Sequence, residues 1–297
     1  MKHRPECITC CLTRVHRAAN LVTDDEWLHR KILSDSMQEL CEVDDLLSPA
    51  EVAHLVFRRA SKALGVATPY AADQKKWIDG VCGNEDSIRE VVAESKDPFL
   101  TALQLAVAAN LIDCEVPEQF HEGFSLKAIL EIQKRLEGGA QMGIDKSEEL
   151  RQAVAEASQI LFVHETAGEL FFDRLLIETF GKEPSEVVSV LRSTPSLGSA
   201  TEEQALAVGL DKVATLTNPG IDCRGILLDS SSEKFREEFN MADLVIAKGQ
   251  AAFETMEEVS GGSSNNQKRC FYLLTVKCAV IAAELGVSAG DCVVEAN

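Results

Sequence analysis

From about residue 146 onward the chain alternates short apolar runs with helix-length segments. The first run is Ile160-Leu161-Phe162-Val163; Val187 to Leu191, Val213 to Leu216, Gly225 to Leu228, Leu244 to Ala247, Phe271 to Leu274 and Val293-Val294 follow. Helix-length segments lie at 169–180, 202–208, 232–239, 250–258 and 277–286, and another, at 146–157, precedes the first run. A strand that is apolar on both faces must be covered on both faces, and a helical connection returns the chain to the same edge of the sheet. The alternation therefore predicts a mostly parallel sheet with helices on either side. The earlier part reads as helix alone. Leu12, Val15, Ala18, Ala19 and Val22 recur at helical spacing, as do Leu126, Ile129, Leu130 and Leu136 behind a Ser125 cap, and Leu100 to Ile112 is apolar almost throughout. The fold class is α/β: a helical N-terminal domain, 1–145, packed on an α/β domain, 146–297.

Charge narrows the range of partners. The 297 residues include 29 Lys and Arg against 48 Asp and Glu, a net charge of −19. Such an acidic chain repels nucleic acid and anionic membranes, so neither is expected as a partner, and any phosphate site must be built locally against the protein's own field. No apolar run is long enough to span a bilayer, since even Phe271 to Leu285 contains Lys277 and Glu284. Met1-Lys2-His3-Arg4-Pro5-Glu6 has no apolar h-region, and the ten cysteines read as reduced thiols, so a cytoplasmic protein is expected. The sequence leaves the oligomeric state unknown.

In a parallel sheet, ligands sit beyond the carboxyl ends of the strands. The segments to inspect are therefore His164–Glu169, Arg192–Thr201, Asp229–Ser232 and Lys248–Gln250, with Gly261 to Asn266 as a mobile polar loop near the same edge. In Ala247-Lys248-Gly249-Gln250 a lysine, a close backbone approach and free helix N–H groups make either an anion site or a plain strand–helix junction. His164, Glu165 and Glu169 could hold a metal or move protons; alternatively Thr166 and Glu169 form a capping box. Ser199 is either a ligand or a turn residue. Cys7 and Cys10 supply two thiols for a second metal or a redox pair, with Cys278 or Cys41 as conceivable partners. No Gly-x-Gly-x-x-Gly fingerprint supports a nucleotide cofactor.

Taken in order, these segments resemble the damage-control phosphatases, the domain-of-unknown-function family numbered 89, also labelled acidic-residue-methyltransferase-like. Pro5-Glu6-Cys7-Ile8-Thr9-Cys10 is similar to the opening of the family's microbial Cys-x-x-Cys subfamily. Asp97-Pro98, Ala109-Asn110-Leu111-Ile112-Asp113, Thr166-Ala167-Gly168-Glu169 with Asp173, and Arg192 with Pro195 and Ala200-Thr201 follow in the family's order. Asp243 to Gln250, Phe253-Glu254 and Lys277-Cys278 complete it. The resemblance implies a helical N-terminal region on a Rossmann-like α/β domain whose residues 146–297 carry the metal and phosphate chemistry, and a divalent-metal phosphatase (Mn, Ni, Co or Mg) acting on small phosphorylated metabolites such as sugar phosphates. It implies catalytic roles for Lys248, Asp97 and Asn110, and phosphate contact by Lys248, Gly249 and Gln250. The family's metal-ligand positions fall on Glu165, Thr166 and Ser199, all substituted relative to the family's Asp, Asn and Asp. Two readings follow: a hydrolase with a rebuilt ligand set drawing on His164 and Glu169, or a non-catalytic homologue that keeps the cleft for a phosphometabolite or a protein partner. Methyl transfer rests only on topology and an old label.

Overall fold

The computed structural model describes residues 1–112, 126–139, 142–183, 186–260 and 268–297. Ser125, Asp113, Cys114 and the Gly261 to Asn266 loop lie outside the described residues.

Local chemistry sets the helix starts. Proline opens α1 (Pro5–Val22), α3 (Pro49–Leu64) and α6 (Pro98–Ala109), where the missing N–H costs nothing. Asp25 caps α2 (Glu26–Glu42) through the amides of Trp27 and Leu28, and Ser48 with Glu51 forms a capping box on α3. α4 (Ala71–Cys82), α5 (Glu85–Ala93) and α7 (Leu126–Glu137) complete the helical part. Helix α6 is buried along nearly its whole length, as an all-round apolar helix must be.

Seven strands follow: β1 (Met142–Asp145), β2 (Ile160–Val163), β3 (Val187–Val190), β4 (Thr215–Thr217), β5 (Leu244–Lys248), β6 (Arg269–Thr275) and β7 (Cys292–Ala296). They form one sheet in the order β1-β7-β6-β5-β2-β3-β4. Neighbours are parallel except β6 and β7, so β7 and β1 run against the rest. Helices α8 (Ser147–Glu156), α9 (Leu170–Glu178), α10 (Glu202–Ala207), α11 (Glu233–Met241), α12 (Gly249–Ser260) and α13 (Ala279–Leu285) lie between the strands. Alternate residues of β2 feed opposite cores. Ile160 and Phe162 join the core shared with α1–α6, α8 and α9, whereas Leu161 and Val163 join one formed with α11, α12 and α13. Among the described residues no helix is long and apolar enough to cross a membrane.

Two expectations need correction. Gly225 to Leu228 is not a strand: the buried Arg192 guanidinium donates to the carbonyls of Cys223 and Gly225, and Ile226 N–H donates to Thr255 Oγ1 at 2.9 Å. Those backbone groups are satisfied without a ladder. Conversely, β1 is a strand that no apolar run announced. It lies at the sheet edge with alternating burial, and Gly143 fits there because a Cβ would fall 2.8 Å from Val287.

The chain runs β2, β3, β4 outward on one side and places β5 and β6 on the other, so the topological switch point lies between β2 and β5. Val163 pairs with Ala247. His164 and Glu165 therefore leave the sheet beside Lys248 and Gly249.

Candidate functional site

The pleat sends the two residues after β2 to opposite sides. His164 turns inward: its Nδ1 lies 2.8 Å from Asp173 Oδ2, its Nε2 3.0 Å from Ser189 Oγ, and its ring stacks on Phe162 at 4.7 Å. Both ring nitrogens are thereby engaged. Lys248, fully buried, turns the same way, with Nζ 2.6 Å from Ala106 O, 2.7 Å from Asp173 Oδ1 and 2.8 Å from Glu169 Oε2. Burial alone would lower the lysine pKa, but Asp173 and Glu169 outweigh it and hold the ammonium charged. Burial opposes ionisation of Asp173 too, yet Lys248 and His164 keep its carboxyl below the usual range. Glu169 goes the other way, pushed up by burial and by the charges of Glu165 and Asp173 against the pull of Lys248. Thr166 Oγ1 lies 2.6 Å from Glu169 Oε1 and 3.1 Å from Ile112 O. Asn110, the C-cap of α6, ties the cluster together. Its Nδ2 donates to Glu165 Oε2 at 2.8 Å and Glu169 Oε2 at 3.0 Å, and its Oδ1 accepts from Thr275 N–H at 3.0 Å.

Glu165 faces the other way, into a cavity of about 430 Å³. From the sheet side the cavity is lined by Glu165, Gln250, Ala251, Glu254, Lys277 and Cys278, and from the helical side by Cys7, Cys10, Arg14 and Arg17 of α1 with Ala50 and Ala53 of α3. Arg224 and Leu197 add a loop wall. The Glu165 carboxylate rests on the first turn of α12: Oε1 accepts from Ala251 N–H at 3.3 Å, and Lys277 Nζ is 3.7 Å from Oε2. Gly249, at φ 77°, permits this, because a Cβ there would fall 1.7 Å from Oε2. Gln250 Oε1 accepts from Lys277 N–H at 2.5 Å and so fixes the segment that carries Lys277 and Cys278. Glu254 is pushed up to about 8, first by burial and then by the charge of Glu165.

The structure brings Asn110, His164, Glu165, Thr166, Glu169, Lys248, Gly249 and Gln250 to one sheet edge, together with Asp173. It does not bring Asp97, which caps α6 through Leu100 N–H at 3.0 Å and pairs with Arg151 at 2.5 Å. Asn110 sits at the other end of that helix, about 20 Å away at 1.5 Å per residue. Ser199 Oγ donates to Ser196 O at 2.6 Å, the role of a turn residue. Lys248 does not line the cavity, so the phosphate contact expected of it is not available; Arg14, Arg17, Arg224 and Lys277 are the cations there. The two arginines of α1 are not among the residues that the sequence motifs single out, although Cys7, Cys10, Arg14 and Arg17 follow a 3-4-3 spacing that places them on one helix face.

A divalent ion at the substituted positions does not fit this arrangement. Of Glu165, Thr166, Ser199, His164 and Glu169, only Glu165 lines the cavity, and its oxygens already accept from Asn110 and Ala251. The other four are bonded away from it. Cys7 and Cys278 share the cavity wall with Cys10, and their sulfurs accept from the amides of Arg4 and Ile281, each at 3.5 Å. Among the described residues no group of three or more His, Cys, Asp or Glu side chains is arranged to hold a metal.

Together these features define the class: a doubly wound α/β protein with a helical layer and a small-molecule-sized, cation-lined cavity at the switch point. The chain matches the model described as the damage-control phosphatase ARMT1-like domain over residues 3–293, and it belongs to that family. It is 31% identical over 296 residues to a damage-control phosphatase of Archaeoglobus fulgidus, covering 99% of this chain and 98% of that one. It is 32% identical over 302 residues to a damage-control phosphatase of Pyrococcus horikoshii, covering 100% and 99%. An uncharacterized protein of Methanocaldococcus jannaschii is 31% identical over 298 residues, covering 98% and 94%. The crystal structure of a DUF89 family protein from Pyrococcus horikoshii superposes with a TM-score of 0.82 at 30% identity, covering 100% of this chain and 99% of that one.

Proposed function

We propose that this protein recognises a small phosphorylated metabolite, such as a sugar phosphate, in the cavity at the β2–β5 switch point. One observation carries the reading: in a chain of net charge −19, four cationic side chains and the first turn of α12 converge on a single cavity. Against Glu6, Glu165 and Glu254 on the same wall, these four cations leave a positive excess that the protein's average field lacks, and such an excess suits an anion. The volume of about 430 Å³ falls among small-molecule sites.

Phosphomonoester hydrolysis is the activity that the relatives' names bring to this cavity. Lys277 and the arginines would neutralise charge on the phosphate oxygens, and Glu254, still protonated near neutral pH, faces the same space as a proton source for a leaving alcohol. A divalent cation would polarise phosphorus and activate water. Because the residues at the ligand positions do not fit such an ion, no step is routed through it. The inward bonding of Thr166, Ser199 and His164 favours a second reading, binding without turnover.

Purified protein separates the two. Thermal melts with glucose 6-phosphate and related esters are expected to show stabilisation that Lys277→Met reduces severalfold. Phosphate release from the same esters, with and without Mn²⁺, Co²⁺, Ni²⁺ or Mg²⁺, reports turnover. No stabilisation and no release across the panel would reject the phosphometabolite reading.

A further inference from the structure

We propose that Glu165 is a built-in competitor for phosphate: its carboxylate occupies the anion seat at the start of α12, and phosphate enters by displacing it, with no divalent cation required. This rests on the reading of the cavity as a phosphate site. The carboxylate is surrounded by donors of the kind a phosphate oxygen needs. Ala251 N–H is 3.3 Å from Oε1, and Asn110 Nδ2 and Lys277 Nζ are 2.8 and 3.7 Å from Oε2. A backbone amide at a helix start, a side-chain amide and an ammonium together form an anion site, here filled from within the chain.

Contact with Gly249 fixes the position of the carboxylate. No other residue at 249 would leave room for it, since an added Cβ would lie 1.7 Å from Oε2. Glu165 also lines the cavity, so its charge stands where a ligand phosphate would stand. Two anions at contact distance repel each other. A phosphate that takes Ala251 N–H and Lys277 must therefore move the Glu165 carboxylate aside. Removing that negative charge leaves the donors in place and vacates the seat.

The test is calorimetric titration of inorganic phosphate into the full chain, with EDTA and separately with Mn²⁺. Wild type, Glu165→Gln, Glu165→Ala and Lys277→Met are compared, each first shown to be folded by far-UV circular dichroism. Both Glu165 variants are expected to bind phosphate about tenfold more tightly than wild type, as loss of one like-charge contact implies. Lys277→Met is expected to bind more weakly, and Mn²⁺ to change wild-type affinity by less than about twofold. The Mn²⁺ electron paramagnetic resonance signal should stay that of the free ion when wild type is added. Should Glu165→Ala fail to fold, the isosteric Gln variant decides. Equal or weaker binding by Glu165→Gln, or a wild type that binds phosphate only with Mn²⁺, overturns the inference while the cavity remains a phosphate site. Absence of phosphate binding in all four forms overturns the reading of the cavity and this inference with it.

Discussion

Lys248 keeps its charge without water because Asp173, Glu169 and the Ala106 carbonyl stand within 2.8 Å of its ammonium. Lys248→Met would strand a buried carboxylate, and the expected cost is about 3–5 kcal/mol in urea unfolding. Lys248→Met with Asp173→Asn should recover a large part of that loss, since the pair is coupled. Glu254 makes stability depend on pH in a definite direction. The unfolded carboxyl gives up its proton near 4.5, whereas the folded one holds it up to about 8. Its contribution is thus complete below pH 4.5 and declines as pH rises toward 8, where the folded group ionises. Glu254→Gln should accordingly melt at a higher temperature than wild type at pH 8.5, the gap closing toward pH 5, as scanning calorimetry can measure. The chemistry of both residues was open to inspection in the sequence, but their partners were not: Lys248 meets a carbonyl 142 positions away.

The junction of β5 and α12 shows what an element encodes about itself. Five buried residues ending in Lys248-Gly249 announce a strand that turns into a helix, and the structure places them so. Gly249 adopts a left-handed φ of 77° and lies against the Glu165 carboxylate. Gly249→Ala carries backbone strain and a steric clash together, and should cost about 2–3 kcal/mol, read as a lower urea midpoint. Adding Glu165→Gly should restore the steric share and leave the strain. Which way Lys248 points was not legible in this element. The strand pleat offers two faces, and packing of α6 against the sheet decides which one holds Asp173 and Ala106.

At the scale of the molecule, the switch point is a product of strand order. Alternating apolar runs established that a mostly parallel sheet exists, and they located six of its seven strands to within a few residues. They could not give the order β1-β7-β6-β5-β2-β3-β4, because hydrophobic periodicity states which face is buried and not which strand lies beside it. That order brings His164 and Glu165 next to Lys248 and Gly249. The cavity likewise needs both halves of the chain, since α1 supplies Arg14 and Arg17 while Lys277 comes from beyond β6. A net charge of −19 sets the background field; only the folded chain collects its cations in one place.

The amino-acid order by itself determined the α/β class, the helix starts at prolines and capping side chains, and the strand ends where chemistry gathers. Each of these depends on neighbours within a few residues, where spacing and side-chain type suffice. Tertiary structure alone decided that Asp97 lies far from the cluster, that Lys248 serves the interior, and that Glu165 rests on α12. Those outcomes depend on contacts between residues far apart in the chain, such as Asn110 with Glu165, and such contacts follow from how whole elements bury their apolar faces against one another.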